Sequence, residues 1–140
     1  MVWIIFALLS AVFAALTAIL AKIGIKDINS NLATAIRTLV ILFFAWGIVF
    51  FQVLHKQIPL INKFSVLMLI LSGLATGMSW LFYFLALQLG EAAKVAPIDK
   101  LSLIFTIILA GLILKEKITL QVMLGATLMT AGALIITFAK

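Results

Sequence analysis

The sequence contains no cysteine, and only 4 of its 140 residues are acidic. The absence of cysteine excludes disulfides and thiolate metal sites, and so few acids leave little material for paired-carboxylate chemistry. There are two prolines, one tyrosine and one histidine, and no glycine-rich phosphate loop. His55 stands beside a loop with no second ligand near it, which argues against a metal site. No catalytic constellation emerges, so neither an enzyme nor a cofactor is expected. Charge is scarce too, at 10% of residues against about a quarter in soluble domains.

What remains is apolar. Hydrophobic residues make up 66% of the chain, and the mean hydropathy is +1.39. A small soluble fold exposes a large share of its surface and has no place for this much apolar material. Lipid is therefore the expected solvent. The net charge of +6 raises nucleic acid as a partner, but the basic residues are scattered between apolar runs and form no basic stripe. Membrane-edge anchoring and orientation is the expected role, with no nucleic-acid partner.

Charges punctuate the chain at regular intervals. Residues 1–21, 64–90 and 118–139 carry none, residues 28–54 contain only Arg37, and residues 95–114 contain only Asp99 and Lys100. Crossing a hydrocarbon core takes about 20 apolar residues. Runs without polar alternation must be helices, because lipid satisfies no backbone group. The expected fold is all-α, one transmembrane domain over 1–140 with helices near 2–23, 31–54, 64–89, 93–114 and 119–138. The first run lacks the basic flank of a signal peptide, is too long for one and precedes four more spans, so it is expected to be retained. Asn29-Ser30-Asn31, Asn62 and Thr119 offer N-cap side chains for the second, third and fifth helices.

Small residues recur at packing intervals. Ala7, Ala11, Ala14, Ala18 and Ala21 share a stripe, Gly73 and Gly77 form a GxxxG pair, and Gly125 and Gly132 lie seven apart. Such residues let helix backbones approach, either within one chain or across a dimer.

Five spans place the termini on opposite faces. One face then carries Lys56, Lys63, Lys115 and Lys117, and the other carries Lys22, Lys26, Arg37, Lys94, Lys100 and Lys140. Setting aside Arg37 and Lys100 as intramembrane leaves four against four. Orientation follows Lys/Arg asymmetry, so so slight a bias allows insertion both ways. An antiparallel homodimer would then supply an inverted repeat; the alternative is a fixed orientation set by the six-to-four excess.

Ionisable groups inside a span are functional candidates. Arg37, Asp99 and Lys100 enter from the same face. Asp99 and Lys100 point about 100° apart on a helix and are not expected to pair, whereas the Arg37 fork can hold the Asp99 carboxylate, leaving Lys100 to face a cavity. Pro97 leaves two readings open. As the first residue of its helix it would make Asp99 a first-turn acid favourable to the dipole, with Lys100 snorkelling to headgroups. Alternatively the helix starts near Ala92 and Pro97 kinks it, freeing groups to line a path. Trp80, Phe82, Tyr83, Phe84 and Trp46 are candidates for lining a cavity or for packing, Trp3 for an interfacial anchor, and Glu91 and Lys94 for a surface pair. Glu116, between two lysines, is expected to be solvated or paired.

The opening WIIFALLSAVFAALTAILAKIGI, the stretch SNLATAIRTLV and the stretch ALQLGEAAKVAPIDKLSLIFTIILAGLILKEKITLQVMLGATLMTAGALI resemble the EamA family of the drug/metabolite transporter superfamily. The likeness runs over nearly the whole chain and is nearest to short bacterial and archaeal members with one five-helix unit. VAPIDKLS, with Pro97, Asp99 and Lys100, looks characteristic of that group. Larger relatives hold two units as an inverted repeat with the cavity between them, so the resemblance implies self-pairing. It also implies that Arg37 matches a basic residue early in helix 2, Glu116 the acid closing helix 4, and Gly125 and Gly132 the glycines of helix 5. The function implied is transport, often export, of a small polar or amphipathic compound across the plasma membrane. A small multidrug-resistance-type exchanger is the first alternative, but that type uses an acid in helix 1, and helix 1 here has none. A non-transporting subunit that binds a partner or a lipid carrier is the second.

Overall fold

The computed structural model describes residues 1–139, and no strand occurs among them. Lys140, counted in the charge ledger, lies outside the described residues. The helices are α1 (Val2–Gly24), α2 (Ser30–Phe51), α3 (Lys63–Leu89), α4 (Ala92–Asp99), α5 (Ser102–Ile113) and α6 (Leu120–Phe138). A 3-10 segment, Leu54–Leu60, separates α2 from α3. Five segments are long and apolar enough to cross a membrane: α1, α2, α3, α4 with α5 taken as Ala92–Ile113, and α6. The shortest, α6, has 19 residues and reaches about 28 Å at 1.5 Å per residue, close to the thickness of a hydrocarbon core.

Helix starts follow the expected caps. Asn29 Oδ1 accepts from the Asn31 amide at 2.9 Å, Asn62 Oδ1 from Ser65 at 2.7 Å, and Thr119 Oγ1 from Val122 at 3.3 Å. Each bond satisfies a first-turn N–H that has no partner inside its helix.

Two boundaries differ from expectation. Helix α2 ends at Phe51 rather than near 54, because Val53 takes a left-handed backbone (φ 58°) and the chain continues as a 3-10 turn containing Pro59. A β-branched residue is costly in that conformation, by about 1–2 kcal/mol, and hydropathy gives no sign of it.

The fourth span is the second departure. It begins at Ala92 with Pro97 inside the helix, which excludes Pro97 as the first helical residue. Proline removes the N–H that would bond the Ala93 carbonyl. Three residues on, the ladder tightens: Leu101 bonds Ile98, Leu103 bonds Lys100 and Ile104 bonds Leu101, each at 3.0 Å and each spanning three residues. The α-helix therefore stops at Asp99 and resumes at Ser102. Asp99 closes α4 and is not a first-turn acid.

By internal contacts the chain divides into two units, residues 20–88 and residues 1–19 together with those from 89 onward. In the first, Ile25, Phe84 and Leu87 are buried. The ammonium of Lys22 donates to the Leu87 carbonyl at 2.6 Å, and Gln88 Nε2 donates to the carbonyls of Ile28 at 3.0 Å and Ile25 at 3.5 Å. These bonds fix the end of α3 against the turn between α1 and α2.

In the second unit α4 packs on α6. Thr137 Oγ1 shares its one proton between the Ala133 carbonyl at 2.8 Å and, more weakly, the Lys94 carbonyl at 3.4 Å. The helix α5 closes through Lys115, also left-handed (φ 54°), and the Glu116 amide bonds back to the Ala110 carbonyl at 3.2 Å. Apart from Ala18 and Ala133, the apolar side chains of this unit are half-buried or exposed. Nothing approaches within 4 Å of a Cβ built at Gly73, Gly77, Gly125 or Gly132. Those faces are uncovered.

Candidate functional site

Arg37 is the eighth residue of α2, which sets it about 10 Å along the axis from the helix start. On α3, Trp80 and Phe84 are four residues apart and so share a face. That face meets Arg37. The guanidinium carbon lies 4.3 Å from the Trp80 ring centroid and 5.1 Å from that of Phe84. Phe84 is 2% exposed, so one wall of the stack is held rigid. Tyr83 stands edge-on to Phe84, with centroids 6.3 Å apart, and lies within electrostatic reach of Arg37.

An arginine at the centre of a span costs about 2.5–3.5 kcal/mol on insertion scales, an upper bound for Arg37 a third of the way along α2, and each ring contact returns roughly 0.5–2 kcal/mol. The two rings thus offset much of the cost of the charge. They do so through the face of the guanidinium and leave its edge of N–H donors without a carboxylate partner inside the 20–88 unit. Asp27, the unit's one acid, forms no ion pair.

The second cluster lies in the other unit. Pro97, Asp99 and Lys100 meet at the break between α4 and α5, where Lys100 Nζ is 3.2 Å from Asp99 Oδ2. This corrects the expectation that the two neighbours would not pair. Their Cβ directions diverge, but the four-carbon lysine stem swings back at an exposed position, with side chains 61% and 35% accessible. Glu91 and Lys94 form the expected surface pair at 3.6 Å. Within its own unit Arg37 has its two rings, and within the other Asp99 has Lys100.

Two grooves contain no charge. One of about 370 Å³ is lined by α5 and α6 residues including Ile104, Ile107, Met123 and Thr130. The other, of about 340 Å³, runs along the end of α2 past Phe43, Gly47 and Phe51. None of the sequence-predicted path residues lines either. His55 stacks on Phe50 at 5.3 Å, and Phe50 on Trp46 at 5.6 Å; the His55 Nδ1 is buried without a hydrogen-bond partner.

Sequence reasoning did not anticipate the Lys22 and Gln88 bonds. Their acceptors are backbone carbonyls, which leave no trace in side-chain identity.

Five long apolar helical segments, uncovered helix faces and a stacked intramembrane arginine define a multi-pass helical membrane protein. The EamA-like transporter family model matches residues 1–138, and the chain belongs to that family. It is also 51% identical over 134 residues to a Sinorhizobium sp protein named as an uncharacterized transporter in the cobO 3' region, covering 96% of this chain and 95% of that relative. No solved structure matches the chain. The protein is a membrane transporter of the EamA type, and a plasma-membrane location agrees with the bacterial relative.

Proposed function

We propose that the chain exports a small polar or amphipathic metabolite by alternating access, working as an antiparallel homodimer. The observation that carries this reading is the family match over nearly the whole of a chain with five spans. An odd span count puts the termini on opposite faces, and a near-balanced basic ledger permits both orientations. Two copies would then form a ten-helix inverted repeat, the arrangement that places a substrate path between related halves. The uncovered backbones at Gly73, Gly77, Gly125 and Gly132 are suited to close helix approach between copies.

Within this reading Arg37, Trp80 and Tyr83 contact the solute. Pro97, Asp99 and Lys100 sit at a helix interruption, the kind of irregular backbone that membranes tolerate where it is buried or lines a cavity, and act as a gate. Reconstitution into vesicles with a metabolite panel, with and without a proton gradient, tests transport and its coupling. Reporter tags at both termini test orientation: each terminus found on both sides supports the antiparallel dimer, and each confined to one side removes it.

A further inference from the structure

Resting on the transport reading above, we infer that Arg37, held against Trp80 and Phe84, is an anion receptor and that the transported solute carries a carboxylate or phosphate group. The stack consumes only the flat face of the guanidinium. Its edge remains a planar fork of donors, the geometry that matches two oxygens of a carboxylate or phosphate. No carboxylate of the 20–88 unit fills that role, since neither Arg37 nor Asp27 makes an ion pair, and Tyr83, within electrostatic reach, offers a single phenol oxygen rather than the paired oxygens that match a fork. The remaining acids, Glu91, Asp99 and Glu116, belong to the other unit, where Glu91 and Asp99 are engaged with Lys94 and Lys100.

The surroundings favour the same sign. On the membrane face nearer Arg37 the 20–88 unit carries Lys22 and Lys26 against Asp27 alone, a field that concentrates anions. Within the 20–88 unit a cationic solute would meet a fixed positive charge with no paired carboxylate beside it. A neutral one would leave the fork without a charged acceptor. Phe84 is fully packed, so the guanidinium is pre-oriented and little ordering remains to be done on binding.

Anionic lipid headgroups share this phosphate chemistry. Arg37, however, lies about 10 Å along α2 from Ser30, deeper than a headgroup layer, which takes up only about 5–8 Å on each side of the hydrocarbon core. Depth favours a small solute.

The test uses Trp80 as the reporter. A Trp3→Phe/Trp46→Phe protein, in which Trp80 is the remaining tryptophan, is reconstituted into phosphatidylcholine vesicles and titrated with succinate and inorganic phosphate. Succinamide serves as the neutral control and tetraethylammonium as the cationic one, and counterflow of each compound is measured in parallel. The expected result is a saturable Trp80 signal and counterflow with at least one anion. Arg37→Gln should weaken binding by about tenfold or more, and Arg37→Lys, which keeps the charge without the fork, should weaken it less, with both variants eluting as the parent does.

Anion affinity unchanged in Arg37→Gln overturns the inference. So does binding and counterflow confined to succinamide or tetraethylammonium, a result that leaves the transport reading intact. A Trp80 signal that follows phosphatidylglycerol content and ignores added succinate and phosphate assigns the fork to lipid and overturns the solute class. Anion binding at Trp80 with no compound crossing supports the receptor and removes transport instead.

Discussion

The ammonium of Lys22, in the last turn of α1, lies 2.6 Å from the carbonyl oxygen of Leu87, close to the end of α3. The last carbonyls of a helix have no intrahelical donor and carry its negative end, so a cation there serves both needs. Gln88 binds the Ile25 and Ile28 carbonyls a few ångströms away, and together the two side chains hold one turn.

Lys22→Met should therefore cost about 1.5–2 kcal/mol of stability in detergent, the lower part of the range for a charged hydrogen bond because the site is only partly buried. Gln88→Leu should cost less, about 1 kcal/mol, as a neutral pair does. Because both hold the same segment, the double variant should lose less than the sum. Denaturant titration in micelles measures all three. Strict additivity would show that the two bonds act on separate elements.

Pro97→Ala should stabilise the fourth span. It restores a donor to the Ala93 carbonyl and removes a residue that costs about 3 kcal/mol inside a helix. Part of that gain is lost because the break is also maintained by the 3-10 bonds from Ile98 to Ile104. Under the gating proposal the same variant slows solute movement, since a mid-helix 3-10 stretch marks a hinge. The diagnostic result is a higher melting temperature with a lower turnover in vesicles. Faster or equal turnover would remove Pro97 from the gate.

The spans and their starts were legible in the sequence because both are local. Charge-free runs report the thickness of the bilayer, and Asn29, Asn62 and Thr119 report their own backbone bonds. The end of α2 was not legible. Val53 and Leu54 carry the apolar run past a single Gln52, and the left-handed turn falls on Val53, a residue type with no turn signal. The stack of Arg37 on Trp80 needs the rotational register of α2 against α3, which neither hydropathy nor spacing contains. The family resemblance pointed to Arg37 but not to its partners. The Asp99–Lys100 contact was missed because Cβ directions say little about where a long flexible stem ends.

Asp99→Asn separates a structural role from a functional one. The pair with Lys100 is exposed, and such pairs contribute about 0–1 kcal/mol, so the variant should melt within a few degrees of the parent. Under the gating proposal it should still lose much of its transport rate, which vesicle uptake at matched protein density measures. Normal expression with unchanged transport would exclude Asp99 from the gate.

Ile118 lies over Gly111, close enough to fill the space a side chain there would need. A Cβ added at Gly111 would lie 2.6 Å from Ile118 Cδ1 and 3.5 Å from Cγ1. The first distance is too short for any pair of carbons, so Ile118 must move before a side chain fits. Its Cδ1 is a terminal methyl, and a small shift accommodates alanine, whereas valine adds two further methyls. Gly111→Val should cost about 1–3 kcal/mol, the usual range for overpacking. Shortening the neighbour to alanine in Gly111→Val/Ile118→Ala should recover most of it. Gly125→Val is the contrast, because nothing lies within 4 Å there in the single chain and the monomer should tolerate it. Melting curves of the three proteins in micelles decide the matter, with Gly111→Val lowest. Equal melting of Gly111→Val and the parent would mean that Ile118 swings away freely and does not brace the turn between α5 and α6.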